Sequence, residues 1–211
     1  MNLRLNEYRK KRNECGFSMT ELVIVLAIIL IVAAIAIPNA IRAWYDMELR
    51  ATGSEVASLM QQARILAAKN NAYYTLCYQV NQGVQQVYLT QVSLSSTTAC
   101  TYTAGSSVSI DLARFITAAS AAPTGTSPSP YTLSTDTTSG TPCDNTCTMA
   151  FSPRGLPCKF DTSTSPATCS TPASTYFVYY FNASSANGYA AVLVTKAGRS
   201  RGYTWNGSSW N

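Results

Sequence analysis

Histidine is absent from all 211 residues, and charged side chains make up only 12% of the chain. Without histidine, the usual Ser-His and Cys-His nucleophiles, the imidazole general bases and the His-containing zinc sites have no parts. The low charge density also excludes a soluble helical protein laced with salt bridges. Beyond residue 16 only eight acidic side chains remain. Of these, Asp136, Asp144 and Asp161 fall in turn-rich stretches, where solvated or turn-capping aspartate is the ordinary use. Asp144 and Asn145 carry no EF-hand spacing that would support a calcium loop. The sequence therefore argues against an enzyme and against a resident metal or cofactor.

Charge is unevenly placed. Residues 1–16 hold Arg4, Arg9, Lys10, Lys11 and Arg12 against Glu7 and Glu14, a net +3, which leaves +2 for the remainder. A body so close to neutral makes no overall electrostatic case for nucleic acid. Ser, Thr, Gly, Pro, Tyr and Asn crowd the middle and C-terminal parts, a composition suited to short strands and turns.

Seven cysteines are present. Cys15 lies in the basic N-terminal stretch, which leaves Cys77, Cys100, Cys143, Cys147, Cys158 and Cys169 as an even set. Six cysteines in a polar exported domain predict up to three disulfides, with their connectivity open. A thiolate zinc site is the rival, but Cys143 and Cys147 have no second close pair to complete it.

From Leu22 to Ile37 the chain runs without a polar side chain, and from Phe17 the segment covers 21 residues. At 1.5 Å per residue this is about 31 Å of helix, enough to cross a bilayer. Basic residues precede it and none lies within it, so the N-terminus is expected to stay cytoplasmic. A cleavable secretory signal would carry its small-residue site after the apolar core, whereas Gly16 comes before it. A plain signal anchor leaves Glu21 unexplained, because an ionised carboxylate at that depth costs on the order of 2–3 kcal/mol. A cut after Gly16 solves the problem. Phe17 then carries a free α-ammonium, and Glu21 can meet the ammonium of a neighbouring copy in a staggered stack of helices. Such a buried pair fixes register.

The run Gly16-Phe17-Ser18-Met19-Thr20-Glu21-Leu22, an apolar stretch and then Pro38 resembles the prepilin signature of type IV pilins and type II secretion pseudopilins. The resemblance implies a membrane prepilin peptidase that cleaves between Gly16 and Phe17 and N-methylates Phe17. It also implies that Glu21 guides assembly with other pilin or pseudopilin subunits and that Pro38 kinks or locally melts the helix. The expected location is the bacterial inner membrane before assembly and a periplasmic or cell-surface filament afterwards.

Past Pro38, Ile41, Tyr45, Leu49, Thr52, Val56, Leu59, Ala63 and Leu66 keep helical spacing, and the pattern fades at Lys69-Asn70-Asn71. One rod of about fifty residues is predicted, its upper stripe packing on a sheet. Predicted strands are Ala72–Val80, Val84–Val92, Ser107–Ile116, Thr148–Phe151, Thr175–Asn182, Tyr189–Thr195 and Gly202–Trp205. Hairpin turns are expected at Asn81-Gln82-Gly83 and Asn187-Gly188, and a long loop over residues 117–148. The division is a leader (1–16), a membrane and polymerisation helix (17–38), its amphipathic continuation (39–70) and a β-rich domain (71–211). The fold class is α+β, type IV pilin-like, with a mostly antiparallel sheet.

Two further motifs, Phe151-Ser152-Pro153-Arg154-Gly155 and the strand entering Gly198-Arg199-Ser200-Arg201, resemble the GspH/FimT-type pseudopilin domain. In FimT-type minor pilins of naturally transformable bacteria the G-R-x-R end is implicated in binding DNA. Extended alternation would put Arg199, Arg201 and Tyr203 on one face, with Lys196 on the other, to grip phosphates and stack a base. The plainer use is a basic edge strand that deters sheet-to-sheet aggregation.

Overall fold

The computed structural model describes residues 18–95, 100, 108–119, 149–161, 164–170, 176–183, 188–205 and 207–211. Gly16 and Phe17, Cys143 and Cys147, Asn187, and most of the expected loop 117–148 lie outside them. By contacts the chain divides into two units, with the boundary between Ile41 and Arg42.

In the first unit, helix α1 (Met19–Asn70) begins at Ser18, whose carbonyl accepts from the amides of Glu21 (3.0 Å) and Leu22 (3.1 Å). The large aliphatic residues between Leu22 and Ile37 are all at least 45% exposed. By length and composition the segment can cross a membrane. The helix runs unbroken through Pro38. Proline still removes one donor from the ladder there, and the Asn39 side-chain amide donates to the Ile35 carbonyl at 3.2 Å.

The second unit takes the rest of α1 and ten strands. The buried helix residues are Leu49, Thr52, Gly53, Val56, Leu59, Met60, Ala63 and Ala67. Leu49, Thr52, Val56, Leu59 and Ala63 belong to the predicted stripe and Gly53, Met60 and Ala67 are additions, while Tyr45 and Leu66 are only half-buried and Ile41 is 44% exposed. The helix ends where Asn71 turns left-handed (φ 49°) and the Ala72 amide reaches back to the Ala67 carbonyl.

Strands β1 (Tyr73–Asn81) and β2 (Val84–Val92) form a hairpin in register Tyr73↔Val92 to Asn81↔Val84. Gln82 and Gly83 both have positive φ, as a two-residue hairpin turn requires. The predicted strand Ser107–Ile116 is two elements, β3 (Ser109–Asp111) on β2 and β4 (Ile116–Ala119) on the other sheet. A turn closed by Ile116 N–H to Ala113 carbonyl (2.8 Å) separates them. Residues 117–119 thus belong to a strand and not to the expected loop. After β5 (Met149–Phe151) come β6 (Pro157–Asp161) and β7 (Thr168–Ser170), which the sequence pattern did not disclose. The last three strands are β8 (Tyr176–Ala183), β9 (Tyr189–Thr195) and β10 (Ser200–Trp205), within two residues of the predicted bounds.

All described pairings are antiparallel, in a sheet ordered β3-β2-β1-β5-β6-β7 and a second ordered β10-β9-β8-β4. One core joins the helix stripe to Leu76, Val87, Leu89 and Phe151 of the first sheet. Phe177, Tyr179, Phe181, Ala190 and Val192 of the second sheet complete it. Alternation then puts Val178, Tyr180, Ala191 and Leu193 on the opposite face of the second sheet, also buried, with Tyr203. This accounts for the near-continuous apolar run of β9, a central strand covered on both faces.

Candidate functional site

Glu21 sits in the first turn of α1, exposed and without an ion pair among the described residues. The helix dipole favours a carboxylate there by about 0.3–1 kcal/mol. That is smaller than the cost of holding the charge in hydrocarbon. No basic side chain along Ser18–Ile41 offers Glu21 a partner.

The second candidate is the rim where β9 turns into β10. Thr195 closes the turn: its amide donates to the Arg199 carbonyl (2.8 Å) and its carbonyl accepts from Gly198 (2.7 Å). Its hydroxyl also accepts from the Arg199 amide at 3.2 Å. Lys196 lies in this turn, outside the extended segment, so strand alternation does not assign it a face. Arg199 and Arg201 are exposed and make no ion pair among the described residues. Tyr203 is only 8% exposed, packed in the outer cluster of the second sheet, and the Arg201 guanidinium lies 5.5 Å from its ring centroid. A cation already takes the ring face that a base would need.

The glycines of both C-terminal motifs have structural reasons. Gly198 has φ +77°, and a Cβ there would fall 2.9 Å from the Gly155 carbonyl oxygen. Arg64 is half-buried and spans both loops. Its Nε donates to the Gly155 carbonyl (3.1 Å) and one terminal nitrogen to the Gly198 carbonyl (3.4 Å). Nearby, Gln61 donates to the Ser200 hydroxyl (2.7 Å), which donates to the Ala57 carbonyl (2.8 Å). One helix face therefore positions the G-R-S-R turn. Sequence spacing missed Arg64; its adjacency to the stripe residue Ala63 was the available signal.

Between α1 and β10 runs a cleft of about 390 Å³, lined by Arg50, Gly53, Ser54, Ser200, Arg201 and Gly202 among others. β10 is an edge strand whose far end is paired by Asn211. Thr204 and Asn211 exchange both amide-to-carbonyl bonds at 2.9 Å.

Two of the cysteine pairs are disulfides. Cys77–Cys100 has its Cα atoms 5.8 Å apart, and Cys158–Cys169 5.4 Å. Both belong to the cluster with Tyr88, Val92 and Phe160 on the face of the first sheet away from α1. No group of three or more metal-ligating side chains occurs among the described residues.

A family model described as the prokaryotic N-terminal methylation motif matches residues 11–37. No curated protein and no solved structure matches the chain. The match supports a type IV pilin-like protein, and a signal of this kind implies processing by a prepilin peptidase and assembly with other pilins.

Proposed function

We propose that the chain is a minor pilin or pseudopilin, a structural subunit of a type IV pilus or a type II secretion pseudopilus. The observation that carries this reading is an exposed apolar helix with one acid in its first turn, unpaired among the described residues and lying within the matched methylation signal. The precursor waits in the inner membrane with its basic leader in the cytoplasm. Cleavage between Gly16 and Phe17 creates the α-ammonium that Glu21 of an adjacent copy lacks. The helix then leaves lipid for a bundle of like helices, where its aliphatic surface is buried again. Pro38, with one backbone bond already missing, is the place where the helix opens most cheaply during that transfer.

Mass spectrometry of the mature protein tests the cut. Phe17 is expected at the N-terminus, N-methylated, and an intact Met1 overturns the proposal. The same peptide map, taken without reduction, is expected to show Cys77 joined to Cys100 and Cys158 to Cys169.

One observation favours a second activity. Arg199 and Arg201 project from the rim without carboxylate partners among the described residues, which suits contact with DNA phosphates in natural transformation. A gel shift of residues 42–211 with and without Arg199→Ala/Arg201→Ala decides it. Equal weak retardation by both proteins removes the DNA reading. A GspH/FimT-like assignment of the domain rests on the same rim and on the Gly155 turn.

A further inference from the structure

Trp44, Tyr45 and Phe115 form an aromatic group on the second unit. Phe115 packs edge-on against Tyr45 (ring centroids 4.5 Å) and against Trp44 (5.6 Å), and Trp44 stacks on Tyr45 at 5.9 Å. A core cluster would be buried, but Trp44 is 55% exposed and Met47, three residues on, is 62% exposed. Phe115 is brought there by the tight turn between β3 and β4, whose other corner is the exposed Arg114. Arg42 and Arg114 are both exposed, and neither makes an ion pair among the described residues.

Chain distance says what environment this group meets. Trp44 follows the last residue of the apolar run, Ile37, by seven positions. Seven helical residues reach at most about 10 Å, whatever bend occurs between. The headgroup layer extends roughly 5–7 Å beyond the hydrocarbon on each side. The Trp44 side chain adds several ångströms to that reach, so its indole is within reach of the layer. Tryptophan and tyrosine are stable there, with the ring among glycerol and upper acyl groups and the N–H or O–H toward water. Arginine beside them meets lipid phosphate.

We propose that Trp44, Tyr45 and the Arg114-Phe115 turn form a docking surface for the phospholipid headgroup layer on the outer face of the membrane. This rests on the membrane-anchored reading above and adds to it. The waiting subunit is held by its globular unit as well as by its helix, with Phe115 linking the sheet to the lipid surface. Leaving the membrane for the filament then requires that contact to break.

The test uses the uncleaved full chain in phosphatidylcholine–phosphatidylglycerol nanodiscs, with Trp205→Phe and Trp210→Phe leaving Trp44 as the single indole. Lipids brominated near the headgroup end of the acyl chain are expected to quench Trp44 strongly, and lipids brominated near the chain end weakly. Moving the indole to the turn, with Phe115→Trp and Trp44→Phe, is expected to give the same depth order. A third chain with Ile31→Trp and Trp44→Phe reports the span itself and should show the reverse order. If Ile31→Trp is quenched while the reporters at 44 and 115 are not, the docking surface is refuted and the anchor stands. If no reporter is quenched, the anchor fails as well.

Discussion

Gly53 on α1 and Gly202 on β10 face one another across the cleft, yet adding a methyl to each should move stability in opposite directions. A Cβ on Gly53 would stand 3.7 Å from the Ala190 Cβ, 3.9 Å from the Gly202 Cα and 4.0 Å from the Tyr203 carbonyl oxygen, all ordinary contacts. Gly53 lies inside a helix, where glycine costs about 0.8–1 kcal/mol relative to alanine. Gly53→Ala should therefore stabilise by up to about 1 kcal/mol. A Cβ on Gly202 would stand 3.0 Å from both the carbonyl carbon and oxygen of Gly53 and 3.4 Å from the Ser54 nitrogen. Those atoms are backbone within a helix and cannot swing aside, so helix and strand must part. Overpacking of this kind costs roughly 1–3 kcal/mol. For a unit of this size, 1 kcal/mol moves Tm by about 2–4 °C. Thermal unfolding of the full chain in mild detergent, followed by tryptophan fluorescence, should thus show a small rise for Gly53→Ala. Gly202→Ala should fall by several degrees. Because the clash at position 202 is with backbone, Gly53→Ala should not relieve it in the double variant. A Gly202→Ala protein as stable as the parent, or a Gly53→Ala protein that loses more than it gains, would refute the close-approach argument.

Arg64→Ala removes both bonds to the Gly155 and Gly198 carbonyls; for a half-buried group the loss should be about 2 kcal/mol. Arg64→Lys should recover less than half, since an ammonium cannot fork between two loops, and full recovery in the same unfolding assay would contradict the clamp. Tyr179 is fully buried, and its hydroxyl has no hydrogen-bond partner among the described residues. Tyr179→Phe should therefore raise stability by about 1 kcal/mol. Burial also pushes the Tyr179 phenol well above its usual value. Its contribution is complete below about pH 10 and is lost above it by about 1.4 kcal/mol per pH unit. The phenylalanine variant should lose stability less steeply between pH 10 and 11, and parallel profiles would show that this phenol does not distinguish folded from unfolded chain.

Much of the architecture is legible because its signals are local. The stripe Leu49, Thr52, Val56, Leu59 and Ala63 follows from helical spacing, and the β1–β2 hairpin from alternating aromatic and β-branched residues around Gln82-Gly83. What escapes depends on non-local pairing. β6 and β7 are only five and three residues long and contain Pro157, Lys159 and Asp161, which read as loop. They are strands because each pairs with a neighbour and because Cys158 is tied to Cys169. The split of 107–116 into β3 and β4 likewise reflects a chain that crosses from one sheet to the other, and no periodicity records that. At the rim, the arginines were visible as a cluster. That Tyr203 is buried in the outer cluster under Arg201, and that Arg64 holds the turn from another element, depends on tertiary contact. Gly16, Phe17, Cys143 and Cys147 lie outside the described residues, and their proposed roles rest on the sequence.

The surface of α1 from Leu22 to Ile37 is uniform aliphatic side chain. Such a surface is generic: lipid tails and any other helix of the same kind satisfy it equally. On the function proposed above, a filament can accept this subunit beside copies of quite different proteins, provided that each presents the same greasy rod and the same acid near its start. The globular unit is freed from that requirement. It need only fit itself, and the recognisable signature covers residues 11–37. Interchangeability is built into the part of the molecule with the least detail, and individuality into the part that never has to be shared.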